Sequence, residues 1–262
     1  MMKERVPSAE RLLDILLLFR THPEGIAART LMTELGLSRS SAFRHLQTLK
    51  AMRFVEPGGR SGEFVLGPTV EELALIRASH RSLPALARPA MERLAEATGE
   101  SVLLSRRSGD RVLVIASVES SRVLRVSIAA AEGAPLHQGS FGKLHLALLD
   151  GAERDRVLKR LAADGGIADV AAFRAELAQI RRSGHAFSDG EIEVGMSSLS
   201  VPVSVEGNPI AALSIAGPVF RITQAPVSAL VRQLAAAAEE IAAELRRVGS
   251  GDSGRQGIRG AR

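Results

Sequence analysis

Apolar positions in the N-terminal part of the chain recur at three- and four-residue spacing and then give way to short β-prone runs. Leu12, Leu13, Leu16 and Phe19 share one stripe behind Ser8, Glu10 and Arg11, and His22, Pro23 and Gly25 close the segment, which predicts a first helix. Arg29 to Leu35 carries Leu31, Met32 and Leu35 at helical spacing; Gly36 then breaks the pattern and Ser38 is placed to cap the next helix. So short a break between helices predicts a helix-turn-helix. Over Ser38 to Met52, Ala42, Leu46 and Leu49 form the docking face, leaving Ser40, Ser41, Arg44, Gln47 and Thr48 on one polar stripe. Phe54-Val55-Glu56 and Glu63-Phe64-Val65-Leu66 flank Pro57-Gly58-Gly59-Arg60-Ser61-Gly62, the pattern of a hairpin with a cationic tip.

Pro68 to Arg81 reads as a connecting helix with Val70, Leu73, Ala74 and Ile76 on its apolar side. From Pro84 the pattern is mixed. Helices are predicted over Pro84 to Thr98, Ser140 to Leu149, Ala152 to Ala163, Ala168 to Ser183 and Ala225 to Val248. Strands are predicted over Val102 to Arg106, Val112 to Val118, Leu124 to Ile128, Leu199 to Val205 and Ile210 to Ala216. The implied fold class is α+β: a winged helix-turn-helix followed by an antiparallel-sheet domain. The expected divisions are 1–67 for the winged helix, 68–82 for the connecting helix, 83–248 for the second domain and 249–262 for a disordered basic tail.

Composition narrows the function classes. With 262 residues and 45% apolar content there is material for two cores. Cysteine is absent, which removes disulfides, thiolate nucleophiles and Cys-ligated zinc. No secretory leader is legible and the longest apolar runs are too short to span a bilayer, so a cytoplasmic protein with no membrane contact is expected. The net charge is only +5, yet the pI near 10.5 points to an acidic partner if the cations cluster. They do: Arg39, Arg44, Lys50, Arg53 and Arg60 are opposed over that stretch only by Glu56, and Arg255, Arg259 and Arg262 mark the tail.

Hydroxyls, an amide and a guanidinium on one helical stripe are the groups that reach phosphates and base edges in a major groove. A basic hairpin directly after that helix is a wing, whose Arg60 can enter the adjacent minor groove. The expected DNA contacts are Arg39, Ser40, Ser41, Arg44, Gln47, Thr48 and Arg60, with duplex DNA as partner. The competing reading is a helical interaction domain whose polar stripe is merely solvated. His45, on the flank of the helix, either touches phosphate or packs.

Over nearly its whole length apart from the tail, the chain resembles the IclR family of transcription regulators. Ala9-Glu10-Arg11-Leu12-Leu13-Asp14-Ile15-Leu16 resembles the family's opening helix, Leu35 to Leu46 its turn and recognition helix, and Phe64-Val65-Leu66-Gly67 the end of its wing. Pro135-Leu136-His137 with Gly142-Lys143 resembles the loop and helix start bordering the family's effector cavity. Gly184 to Glu191 with Gly195 resembles its acidic loop, and Val201-Pro202-Val203, Ala212 to Pro218 and Arg221-Ile222-Thr223 its paired strands and exit. The resemblance implies a GAF/profilin-like sensory domain, a small-molecule effector, a homodimer able to assemble into a dimer of dimers, and no catalysis. This chain has Gln138 and Gly139 where many members have Cys or a small residue and a hydroxyl. Ser188 precedes Asp189 where many have two acids, and Ser198 stands for a frequent Cys. The fold therefore carries over and the effector's identity does not.

Gly139, Ser140, Phe141 and Gly142 open a helix, where backbone N–H groups can meet the carboxylate of a small organic acid, or where the glycines only permit a tight entry. Asp189, Ser198 and Leu199 are the other expected effector contacts, against a reading of Asp189 as a turn acid and Ser198 as a satisfied strand hydroxyl. No catalytic residue, cofactor or metal is implied. Gly251-Asp252-Ser253-Gly254 copies a protease nucleophile string without a scaffold, Ser198 lacks a nucleophile elbow, Gly142-Lys143 does not complete a phosphate loop, and the six histidines lack ligand spacing. The alternative function is a small-molecule enzyme or carrier with an N-terminal protein-interaction domain; a purely structural interaction module is a third.

Overall fold

The computed structural model describes residues 6–60, 62–77, 82–128, 133–224 and 226–253. Its contacts divide the chain into two compact units, Met1–Ser79 and His80–Arg262. Ser61, Arg81 and the tail arginines Arg255, Arg259 and Arg262 lie outside the described residues.

In the first unit, α1 (Pro7–Leu18), β1 (Ile26–Ala27), α2 (Ala28–Leu35), α3 (Arg39–Ala51), β2 (Val55–Pro57), β3 (Glu63–Leu66) and α4 (Pro68–Arg77) follow in order. The turn is built as the sequence indicates. Gly36 adopts φ 62° after α2, a conformation costly for any residue with a Cβ, and the Ser38 hydroxyl accepts from Ser41 N at 3.3 Å to cap α3. Ala42, Leu46 and Leu49 are buried with Leu31, Val55 and Phe64. The stripe of α1 is centred on Ile15 and Phe19 instead of Leu13, which is 59% exposed, and Met32 is likewise exposed. The hairpin gains a third strand that was not expected: Ile26 pairs with Phe64, giving the order β1-β3-β2. A two-residue strand carries too little periodicity to be read from sequence.

The second unit begins with α5 (Leu83–Thr98), capped by the Ser82 hydroxyl, and continues through β4 (Ser101–Ser108), β5 (Arg111–Val118), β6 (Gly133–Pro135), α6 (Gly139–Ala147), α7 (Gly151–Ala163), α8 (Val170–Ser183), β7 (Ala186–Asp189), β8 (Met196–Val205), β9 (Asn208–Pro218), α9 (Val219–Ile222) and α10 (Val227–Ser253). The strands form one antiparallel sheet in the order β6-β5-β4-β9-β8-β7. Two-residue alternation gives the sheet two buried faces. Val102, Leu104, Leu199, Val201 and Leu213 pack with Met91 of α5 and Ile241 of α10. On the other face Val112, Ala186 and Ala212 meet Phe141, Leu144, Leu158 and Leu177 of α6, α7 and α8. The architecture is α+β.

Three expectations change here. Leu124 to Ile128 is not a strand: Leu124 O accepts from Arg221 Nη2 at 2.8 Å and Val126 O from Ser101 Oγ at 2.6 Å, so side chains take the carbonyls that a ladder would have used. The segment read as an acidic loop includes the edge strand β7. The closing helix runs to Ser253, past the Val248 end predicted for it, because extending an existing helix needs no new nucleus even across Gly249 and Gly251.

Candidate functional site

On α3 the buried positions fix what the opposite face presents. Arg39, Ser40, Arg44, Gln47 and Thr48 are exposed and Ser41 is half-buried. Arg39 stacks over the Phe43 ring at 5.9 Å, and Thr48 Oγ1 donates to Arg44 O at 3.0 Å, which fixes its rotamer along the helix. His45 Nδ1 lies 2.7 Å from Ser41 O, so that edge of the imidazole turns back on its own helix. Among the described residues no carboxylate lies within ion-pair distance of Arg39, Arg44, Lys50, Arg53 or Arg60. A surface helix bearing unpaired guanidinium groups beside hydroxyl and amide donors suits a phosphate backbone flanking base edges. Arg60 is exposed at the wing tip, where Gly58 N donates to Glu63 O at 2.8 Å.

In the second unit the start of α6 is the centre of a polar cluster. Ser140 is fully buried; its Oγ donates to Ser198 Oγ at 2.7 Å and lies 2.6 Å from Ser200 Oγ, which lies 2.7 Å from Ser214 Oγ. Four hydroxyls from one helix and two strands thus satisfy one another inside the domain. Ser140→Ala removes the central link and is expected to cost about 1–3 kcal/mol, read as a lower urea midpoint at unchanged slope.

A carboxylate does sit at the N-terminus of α6, but it belongs to the chain. Glu191 Oε2 accepts from Gly139 N at 3.2 Å, and the same carboxylate pairs with the buried Lys143 ammonium, which also meets Glu176 Oε1 at 2.6 Å. Gly142 is required for close approach, since a Cβ there would come within 2.8 Å of Pro135 O. Beside this cluster Phe141, Ser188, Ser197, Ser198, Ile128, Ile192, Met196 and Ala216 line a cavity of about 20 Å³, room for a single water.

Of the expected effector contacts, Phe141 and Ser198 line this cavity and Ser140 lies directly behind it. Asp189 and Leu199 do not. Strand β7 pairs Ser188 with Ser198 and Asp189 with Ser197; Asp189 is exposed and accepts at 2.9 Å from the hydroxyl of Ser197, which is one of the lining residues. Leu199 is one residue past Ser198, so it points into the opposite core. Ser188 and Ser200 on the strands, and Lys143 and Glu191 at the start of α6, join this site in addition to the expected contacts. Two-residue steps from Ser198 could have found Ser200; only the strand register finds Ser188.

Further along α6, His145 Nε2 lies 3.2 Å from Ser105 Oγ. Burial pushes its pKa down to about 4, with Arg107 and Arg106 acting in the same direction against the hydrogen bond to Ser105. The folded state therefore disfavours the imidazolium that the unfolded chain accepts near pH 6.5. Stability is full above pH 6.5 and falls as the pH drops toward 4, by about 3 kcal/mol in all. His145→Gln is expected to flatten that part of the stability profile measured by denaturant titration.

Helix-turn-helix, wing and a separate sheet domain with a small, largely apolar cavity beside buried hydroxyls define the class: a DNA-binding regulator with its own sensory domain. The IclR helix-turn-helix model matches residues 8–59, and the bacterial transcriptional regulator IclR C-terminal model matches residues 77–243. The chain belongs to the IclR family, a family of transcriptional regulators and not of enzymes. It is 29% identical to the HTH-type transcriptional regulator BhcR of Paracoccus denitrificans, over 90% of this chain and 86% of that one. It is 27% identical to the transcriptional repressor IclR of Escherichia coli, over 82% and 81%. An IclR homologue from Microbacterium hydrocarbonoxydans, solved with 4-hydroxybenzoate, superposes at a TM-score of 0.72 with 28% identity, covering 92% of this chain and 99% of that one. The chain is thus a DNA-binding transcriptional regulator with a C-terminal effector-binding domain. Among the described residues no helix is long and apolar enough to cross a membrane.

Proposed function

We propose that this regulator is a cytoplasmic repressor that binds a pseudo-palindromic operator as a homodimer, able to pair again into a dimer of dimers, and is released by a small organic acid. The observation that carries the reading is the α3 surface, where Arg44 stands without a carboxylate partner among exposed Ser40, Gln47 and Thr48. In this reading α3 lies in the major groove with Arg44 on base edges, Ser40, Ser41, Gln47 and Thr48 share base and phosphate contacts, and Arg39 and Arg60 hold the backbone. Residues 1–67 do the reading, 68–82 join the two parts, and 83–248 do the sensing.

The acid enters the cavity lined by Phe141, Ser188 and Ser198. Support comes from the carboxylate already seated at the α6 N-terminus: Gly139 N and Lys143 hold Glu191 there, and a ligand carboxylate would take its place. Ile192, beside Glu191, covers the same cavity and would move with it. The bound 4-hydroxybenzoate of the Microbacterium homologue is an acid of this kind. The effector's different affinity for the DNA-bound and released forms then sets the size of the switch, transmitted through the helix that follows the wing. The test is a calorimetric screen of aromatic and aliphatic carboxylic acids against wild type and Lys143→Met. Saturable binding to the wild type, weakened about tenfold or more in the variant, is expected; equal affinities would place the acid elsewhere.

A further inference from the structure

A pocket of about 400 Å³ in the second unit is lined by Arg154 of α7 and by Arg174, Leu177, Ala178, Arg181 and Arg182 of α8. Its walls carry four guanidinium groups and no carboxylate. Only Arg174 has an acidic partner, Asp155 Oδ1 at 2.5 Å; among the described residues Arg154, Arg181 and Arg182 have no carboxylate within ion-pair distance. Arg154 Nη1 and Arg181 Nη1 each donate to the same oxygen, Leu149 O, at 3.2 Å. Arg182 Nη2 donates to the neutral Gln179 Oε1 at 2.8 Å.

Two like charges are therefore held beside one another on a single carbonyl just past α6. The negative end of the helix dipole supplies only about half a charge there. Each guanidinium spends one of five N–H donors on that oxygen. An arrangement of this kind is left with uncompensated positive charge and with planar donor forks suited to carboxylate or phosphate oxygens. The volume falls within the range of small-molecule sites, and the floor of Leu177 and Ala178 gives the pocket an apolar base. A walled pocket between two helices fits a compact ligand; a duplex would need an extended basic surface.

We infer that this pocket binds a small multiply charged anion, a phosphorylated or polycarboxylate metabolite, at a site separate from the cavity beside Phe141. The two sites lie toward opposite ends of α6. The anion sits among Arg154, Arg181 and Arg182, compensating their mutual repulsion, while Arg174 stays paired with Asp155.

The test uses the full-length protein in calorimetric titrations with inorganic tripolyphosphate and, separately, citrate, at about 0.15 M salt so that weakly screened surface association is suppressed. Saturable one-site binding of at least one probe is expected, weakened about tenfold or more in Arg154→Gln/Arg181→Gln and also weakened in Arg182→Gln, which leaves the Leu149 contacts intact. Arg44→Ala should bind the probe as the wild type does. Binding of tripolyphosphate alone assigns a phosphorylated ligand; binding of citrate, alone or as well, assigns the polycarboxylate class. Absence of saturable binding with both probes at millimolar concentration, or the same affinity in wild type and both pocket variants, would overturn the assignment.

Discussion

Arg44→Ala is expected to weaken operator binding by about 1–3 kcal/mol and to relax sequence preference at one base pair of each half-site. The side chain is exposed on α3, while the helix is fixed from behind by Ala42, Leu46 and Leu49, so truncation removes a contact without disturbing the fold. Competition titrations against single-base operator variants measure both effects. An affinity loss that is uniform across all variants would reassign Arg44 to the phosphate backbone; unchanged affinity would remove it from the interface.

Phe141→Ala is expected to cost about 3–5 kcal/mol of stability, because Phe141 is 3% exposed and its ring packs between α6 and the sheet while forming one wall of the cavity. The enlarged space should also shift the acid concentration needed to release DNA, with operator affinity of the folded protein unchanged. Denaturant titration reads the first effect and operator release the second. A stability loss accompanied by an unaltered release curve would show that the ring is core alone.

The N-terminal unit was legible because each level of its sequence agrees. Ala42, Leu46 and Leu49 define one face of a helix whose start is marked by Ser38 and whose predecessor is closed by Gly36; no distant residue is needed to place them. The cavity was only half legible for a complementary reason. Ser198 and Leu199 are neighbours in sequence, and which of them faces α6 is set by the register of β8 against β9, while Ser188 enters through strand β7, whose four residues give too short an alternation to stand out beside Gly184 and Gly190. Asp189, expected beside the effector from the resemblance, stands one residue past Ser188 and is bonded to Ser197. Lys143 and Glu191 lie 48 residues apart, and no local pattern joins them; their pairing exists only after β7 has brought its loop back to α6. Leu124 to Ile128 failed in the other direction, since a β-prone run became an irregular segment once Ser101 and Arg221 supplied its hydrogen bonds.

The most direct test of DNA reading by α3 is selection of binding sites from a random duplex library by the full-length protein, followed by titration of the enriched sequence at several salt concentrations with nonspecific competitor. The expected result is an enriched inverted repeat whose half-sites lie about one helical turn or a multiple of it apart, bound in the presence of competitor and lost in Arg44→Ala. Failure to enrich any sequence, with all binding removed by competitor and by modest salt, would contradict it and leave α3 as a solvated polar face.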